Sequence, residues 1–351
     1  MKVIVPCGGR SSRFPGMAPK WMLPCSNGRP MITEAVRRLD FNLDDLIVTI
    51  LREHDEKYDA RAGLRAAFGR RIEVVVLDQP TASQPETVAR TLQQTGLSEP
   101  FLVKDSDNSF ALSDIEQAYN YVSVESLNHF DSINPRNKSY VRTNEAGLIL
   151  SIVEKQVISD VFSVGGYFFR DPAHYLEAYR SLSGGSDQAP REIYTSDIIA
   201  HLIVGGAFCS TRFVSDYEDW GTIREWRQKL QRQNTYFVLI DGFIFGHGSA
   251  YFAPHYDQVP AIEEAVAATR QLLAEGHSIV FLSTRPESER QRTQARLSDL
   301  GLPVDRIIFD LPLGRYGIVS APDASVPFST AHALELVPSD PRLGMKLRFE
   351  N

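Results

Sequence analysis

The first hundred residues alternate in a way few folds accept. Four short apolar runs, residues 2–6, 46–51, 72–77 and 101–104, are separated by longer segments, and two of those, residues 31–39 and 86–94, have helical spacing. Strands that recur after helical stretches predict a parallel sheet with helices on both faces. Ligands of such sheets bind beyond the carboxyl ends of the strands. Two polar clusters stand at those ends: residues 8–20 after the first run, and Asp105-Ser106-Asp107-Asn108 after the fourth. The coincidence of the two says more than either alone.

From residue 138 the rhythm changes. Strands are expected at 139–143, 148–154 and 164–169, with Asn144-Glu145-Ala146-Gly147 as a hairpin turn. Helices are expected at 172–182 and 196–204, a strand at 207–214, and a polar amphipathic helix at 223–233. The alternation then restarts, with strands at 236–240, 278–282 and 306–309 and helices at 261–275 and 287–300. A chain of 351 residues is long for one domain. The restart divides it into 1–231 and a smaller α/β unit, 232–351.

Charge narrows the function. Lys and Arg number 37 against 44 Asp and Glu, a net charge of −7, which speaks against a general nucleic-acid binder but leaves room for a locally positive site for small anions. No apolar run approaches the ~18 residues of a membrane span. The first strand begins at Lys2 and leaves no room for a signal peptide. Cys7, Cys25 and Cys209 are far apart and form no CxxC pair, so they read as cytosolic thiols rather than a disulfide framework or zinc site. A cytoplasmic protein without membrane insertion is expected, and a homo-oligomer is left open.

The loop Gly8-Gly9-Arg10-Ser11-Ser12-Arg13-Phe14, followed by Pro19-Lys20-Trp21, carries chemistry. Glycines let successive backbone N–H groups converge as an anion nest. Arg10, Arg13 and Lys20 add three cations, a set that suits a triphosphate, although a solvated basic loop has the same composition. The GK[ST] ending of a Walker loop is absent. In extended chain Asp105 and Asp107 share one side, as metal ligands would, while an Asp-x-Asp can also simply cap a turn.

These segments resemble, in order, those of the sugar-phosphate nucleotidylyltransferases, a group that includes choline-phosphate cytidylyltransferases. The loop through Arg13, with Lys20, is similar to that family's G-x-G-[ST]-R and its following lysine. Residues 78–87, with Gln84, resemble the base-binding segment, and Asp107-Asn108 the metal-binding aspartate. Glu154-Lys155 resembles the acid–lysine pair near the acceptor, Gly165-Gly166-Tyr167 the next strand, and Asp219-Trp220-Gly221-Thr222 the D-x-G-T segment with the second metal ligand. The resemblance covers about two-thirds of the chain. It implies a Rossmann-like nucleotidyltransferase domain with a mixed sheet. It also implies an in-line attack of a phosphorylated or phosphonylated acceptor on the α-phosphorus of an NTP, with release of pyrophosphate. Arg13 and Lys20 are then the catalytic cations. Gly8, Gly9, Arg10, Ser11, Ser12, Gln84 and Asp105 bind the nucleotide. Glu154, Lys155 and Tyr167 face the acceptor, and Asp107 and Asp219 hold Mg²⁺. CTP is favoured, for surface polysaccharide or related glycan and lipid modification. Ser83 and Pro85 depart from the family's usual Gly and Ala, which leaves the base open.

Residues 236–351 resemble a haloacid-dehalogenase-like (HAD-like) phosphatase domain through Val238-Leu239-Ile240-Asp241-Gly242, Leu282-Ser283-Thr284-Arg285-Pro286 and Ile307-Ile308-Phe309. The position of that family's nucleophilic aspartate is Leu239. The expected lysine is missing: after Lys229 the only lysine is Lys346. The acidic pair is replaced near Ser320-Ala321-Pro322-Asp323, so phosphatase activity is expected to be absent. Two other readings stand beside the transferase: a metal-dependent glycosyltransferase using Asp105-Ser106-Asp107, and a non-catalytic nucleotide-binding regulatory protein.

Overall fold

The computed structural model describes residues 1–10, 14–130, 135–184, 192–246, 256–320 and 329–347. The chain divides into two compact units, Met1–Trp226 and Arg227–Asn351, and the division falls inside the helix Ile223–Gln231.

The first unit is built on β1 (Lys2–Pro6), β2 (Leu46–Leu51), β3 (Glu73–Leu77), β4 (Phe101–Lys104), β5 (Asn108–Ala111), β6 (Asn120–Ser126), β7 (Ser139–Thr143), β8 (Ile149–Glu154), β9 (Val161–Phe169), β10 (Cys209–Phe213) and β11 (Ser215–Asp219). The main sheet runs β10-β6-β9-β4-β1-β2-β3, with β7 beside β9 and β8 beside β7. The β1–β2, β2–β3 and β1–β4 pairs are parallel. Strand β9 runs antiparallel to both β4 and β6, so the sheet is mixed rather than all parallel.

Alternation along the central strands assigns the two cores. Val3, Val5, Val48 and Ile50 point to one face, where they meet Ile32, Val36, Leu64 and Phe68 of the helices Met31–Val36 and Ala60–Phe68. Ile4, Ile47 and Val103 point to the other, against Val88, Leu92, Tyr175 and Ile198 of the helices Gln84–Thr95, Pro172–Ser183 and Thr195–Val204. Burial on both faces is why β2 reads as a nearly continuous apolar run, interrupted by Thr49, whose hydroxyl pairs with that of Thr91.

Several elements differ from the sequence expectation. The first helix stops at Val36. Helices Arg52–Tyr58 and Ala60–Phe68, joined at Asp59 with φ +51°, occupy a stretch with no earlier assignment. Strand β6 is almost wholly buried although its sequence, NYVSVES, looks polar. The turn at Asn144–Gly147 forms as expected: Gly147 has φ +75° and its N–H donates to the Asn144 carbonyl at 3.0 Å. Strands β5 and β11 form a separate antiparallel pair whose register sets Asp219 opposite Asn108.

The second unit holds a parallel sheet in the order β12 (Thr235–Leu239), β13 (Ser278–Leu282), β14 (Ile307–Ile308). Tyr236, Val238, Ile279 and Phe281 pack with Ala265, Leu272 and Leu297 of the helices Glu263–Ala274 and Arg290–Asp299. Among the described residues, no helix is long and apolar enough to cross a membrane.

Candidate active site

The site grows from the turn between β4 and β5. Lys104, the last residue of β4, is completely buried. Its ammonium donates to the Asp105 carbonyl at 2.8 Å, the Asn108 carbonyl at 2.9 Å and Asn108 Oδ1 at 2.5 Å, and it lies 4.6 Å from the centroid of the Phe110 ring. One buried cation therefore staples the turn that presents Asp105 and Asp107. Burial lowers its pKa to about 8, against the opposing pull of Asp105, Asp107 and Asp219.

Asp105 faces inward. Its Oδ1 accepts from Gln84 Nε2 at 2.5 Å, and Gln84 Oε1 in turn accepts from Thr195 Oγ1 at 2.6 Å. Gln84 opens the helix Gln84–Thr95, whose N-cap is Ser83 and whose first turn contains Pro85. The two departures from the family pattern thus have a local cause: serine caps a helix and proline suits its first turn. Gly165 of β9, at φ +81°, passes so close to Asp105 that a methyl group there would overlap the carboxylate. Burial, reinforced by the charge of Asp107, pushes the Asp105 carboxyl up to about 6.

That shift gives a prediction for the protein in chelator. Asp105 has a higher pKa folded than unfolded, so its burial is harmless below pH 4 and increasingly costly as pH rises through 6. Asp105→Asn keeps an acceptor for Gln84. It is expected to raise stability at pH 8 by on the order of 2 kcal/mol, with the gain fading to nothing near pH 4. Thermal denaturation of both proteins across that range measures it; a gain that grows toward low pH would contradict the assignment.

Asp107 accepts from Lys20 Nζ at 2.5 Å. Burial pushes its carboxyl up, but Lys20, together with Lys104 and Lys138, outweighs that and holds it below the usual value. Lys20 begins a single 3₁₀ turn, Lys20–Met22, anchored by the buried ring of Trp21 beside His54. The Trp220 N–H donates to the Asp107 carbonyl at 2.8 Å, which locks the end of β11 against the turn. Asp219 Oδ1 accepts from the Gly221 N–H at 2.9 Å, and its Oδ2 accepts from Lys138. A Cβ on Gly221 would lie 3.1 Å from Asp219 Oδ1, 3.3 Å from Asp107 Oδ2 and 3.8 Å from Glu225 Oε2, so these carboxylates face one point. Glu225 and Thr222 form a reciprocal cap on the helix that follows.

These groups line a cavity of about 170 Å³, room for roughly a dozen waters. Asp105, Asp107 and Asp219 meet there, and Gln84, Glu154 and Tyr167 share the wall. Glu154, at the end of β8, accepts hydrogen bonds from Ser139 and Ser196. Lys155 does not line the cavity. Exposed and at φ +57°, it donates from its ammonium at 2.6 Å to the hydroxyl of Tyr194, itself a lining residue, and covers that ring. Gly8, Gly9 and Arg10 also lie outside the lining. Gly8 packs on Thr87, where a Cβ would come within 3.0 Å, while Gly9 and Arg10 are exposed. Ser11, Ser12 and Arg13 fall outside the described residues. Sequence reasoning missed Lys104 and Lys138, since a lysine on or beside a strand ordinarily reads as a solvated surface group.

Among the described residues, no three His, Cys, Asp or Glu side chains are grouped as a complete metal cage. Mg²⁺ does not need one, because it takes one or two carboxylates together with waters and substrate phosphates. The facing pair Asp107 and Asp219 fits that donor set.

No protein-family model matches the chain, and no curated protein matches it. Solved structures do. A nucleoside-diphosphate-sugar pyrophosphorylase from Vibrio cholerae RC9 is 23% identical with a TM-score of 0.55, covering 65% of this chain and 99% of its own. A putative glucose-1-phosphate thymidylyltransferase from Bacillus anthracis is 20% identical with a TM-score of 0.51, covering 65% and 93%. An inositol-1-phosphate CTP transferase from T. maritima is 14% identical with a TM-score of 0.50, covering 64% and 90%. The shared part is about as long as the first unit. The chain therefore carries the Rossmann-like α/β fold of these nucleotidyltransferases, with a mixed sheet.

Proposed function

We propose that the first unit is a Mg²⁺-dependent nucleotidylyltransferase, joining an NTP to a small phosphorylated or phosphonylated acceptor with release of pyrophosphate. The observation that carries this reading is the convergence of Asp107 and Asp219 on one point beside Lys20, at the carboxyl end of a central strand. Phosphoryl-type transfer needs positioning and charge neutralisation more than covalent catalysis. Lys20 neutralises charge that grows on the α-phosphate oxygens, and Arg10 and Arg13 serve the rest of the polyphosphate. Asp107 and Asp219 would hold the metal, which when bound supplies positive charge against the phosphates. Gln84 and Asp105 fix one another at the nucleotide side, and Glu154 and Tyr167 line the acceptor side. The names of the similar structures support this class, and that of the CTP transferase agrees with CTP as first choice.

For the second unit the proposal is an inactive HAD-like domain. Leu239 has no nucleophilic atom, and the Asp241 carboxylate is clamped by Arg285 through bonds of 2.7–3.1 Å.

The test is pyrophosphate release with CTP, UTP and dTTP against a set of phosphorylated and phosphonylated acceptors. Release should require both partners and be fastest with CTP. No release with any pair, or nucleoside diphosphate released from a nucleotide sugar, would replace this reading with one of the others.

A further inference from the structure

Five carboxylates line the cavity, Asp105, Asp107, Glu154, Asp219 and Glu225, and among the described lining residues a single one is basic, Lys138. Lys138 immediately precedes β7 and is 8% exposed. Its ammonium lies 5.7 Å from the Phe162 ring centroid and 5.2 Å from that of Tyr217. It donates to the Tyr217 hydroxyl at 2.7 Å and to Asp219 Oδ2. Its neighbours in sequence, Asn137 and Ser139, line the same wall and add further hydrogen-bonding groups.

The arrangement mirrors Lys20 on Asp107. Of the three carboxylates that face Gly221, Asp107 and Asp219 thus each carry their own ammonium. A divalent cation arriving alone finds both charges already balanced, and entering would bring it close to two ammonium groups at low dielectric, where like charges repel strongly. Incoming anions change this. The polyphosphate of an NTP offers Lys20 another partner. Among the described lining residues, the basic one that an anionic acceptor in the cavity would meet is Lys138.

We infer that Lys138 has two successive partners: it holds Asp219 closed to a divalent cation before substrates bind, and it takes the anionic group of the acceptor once they have bound. This rests on the nucleotidyl-transfer reading and adds to it an order, in which the metal enters with the substrates and not ahead of them. It also moves the acceptor's counter-charge from Lys155, which lies over Tyr194 and outside the lining, to a residue that the motif pattern does not mark.

The test uses the full chain with Mn²⁺ alone as the metal, read by the electron paramagnetic resonance signal of the free ion. Wild type should bind Mn²⁺ weakly without nucleotide, and Lys138→Met about tenfold or more tightly. Lys138→Arg should return the wild-type value, and adding Asp219→Asn to Lys138→Met should cancel the gain. Lys138→Gln, which can still hydrogen-bond Tyr217, should behave as Lys138→Met, separating charge from packing. In a second arm, with Mn²⁺ and a non-hydrolysable CTP analogue present, inorganic phosphate is the acceptor probe. Its affinity should fall about tenfold or more in Lys138→Met. Equal Mn²⁺ affinity in wild type and Lys138→Met overturns the closing role, and unchanged phosphate affinity overturns the acceptor role. If no protein binds Mn²⁺ even with the nucleotide analogue, the metal-dependent reading itself fails and this inference with it.

Discussion

Lys20→Ala is expected to lower the kcat of nucleotidyl transfer by about 10²–10³-fold, the usual cost of removing one preorganised donor aimed at developing charge. The effect should fall on kcat more than on the KM for NTP, because the group acts on charge that grows in the transition state. The fold should survive. Asp107 loses its nearest counter-charge but still feels Lys104 and Lys138, and the turn that carries it is held from beneath by Lys104. Single-turnover kinetics beside a circular dichroism spectrum separate the two effects. If pyrophosphate release kept its wild-type rate, the catalytic role of Lys20 would be wrong.

Arg285→Leu should destabilise the second unit by on the order of 2 kcal/mol, since it leaves the Asp241 carboxylate, only 15% exposed, without its partner. Arg285 is 1% exposed. Its guanidinium grips Asp241, donates to Thr293 Oγ1 at 3.1 Å and stacks near Phe245 and Tyr256. The double variant Asp241→Leu/Arg285→Leu should lose less than the sum of the single changes, because no unpaired charge then remains. The same clamp predicts no turnover of p-nitrophenyl phosphate by the wild-type chain. Turnover that vanished in Asp241→Ala would overturn the structural role.

Much of the sheet could be read from the chain because its strands obey simple patterns. Lys2–Pro6, Leu46–Leu51 and Phe101–Lys104 are short apolar runs buried on both faces, and the structure places each as expected. Strand β6 escaped because Asn120, Ser123, Glu125 and Ser126 break the apolar pattern, and their burial is decided by strands distant in sequence. Strand β9 made the sheet mixed for the same reason: direction is set by what a strand pairs with, which local pattern does not contain.

The site divides along a similar line. Asp107 and Asp219 stand in segments whose composition marks them, and the β5–β11 pairing brings them together. Lys138 has no such mark. It lies 81 residues from Asp219 in the chain, and only the packing of β7 beside β9 delivers it to the cavity. Lys155, marked by its motif, stands exposed just past the end of β8, against Tyr194 rather than in the lining. In the second unit Asp241 could be located from its apolar strand, while the partner that fills its carboxylate stands 44 residues on.

The most direct test of the central claim is the ³¹P nuclear magnetic resonance spectrum of a reaction containing the full chain, Mg²⁺, CTP and a phosphorylated acceptor. The account predicts pyrophosphate and a new pair of coupled diphosphate resonances in equal amounts, both lost in Asp219→Asn. Cytidine diphosphate or orthophosphate as the product, or an undiminished signal in Asp219→Asn, would contradict it.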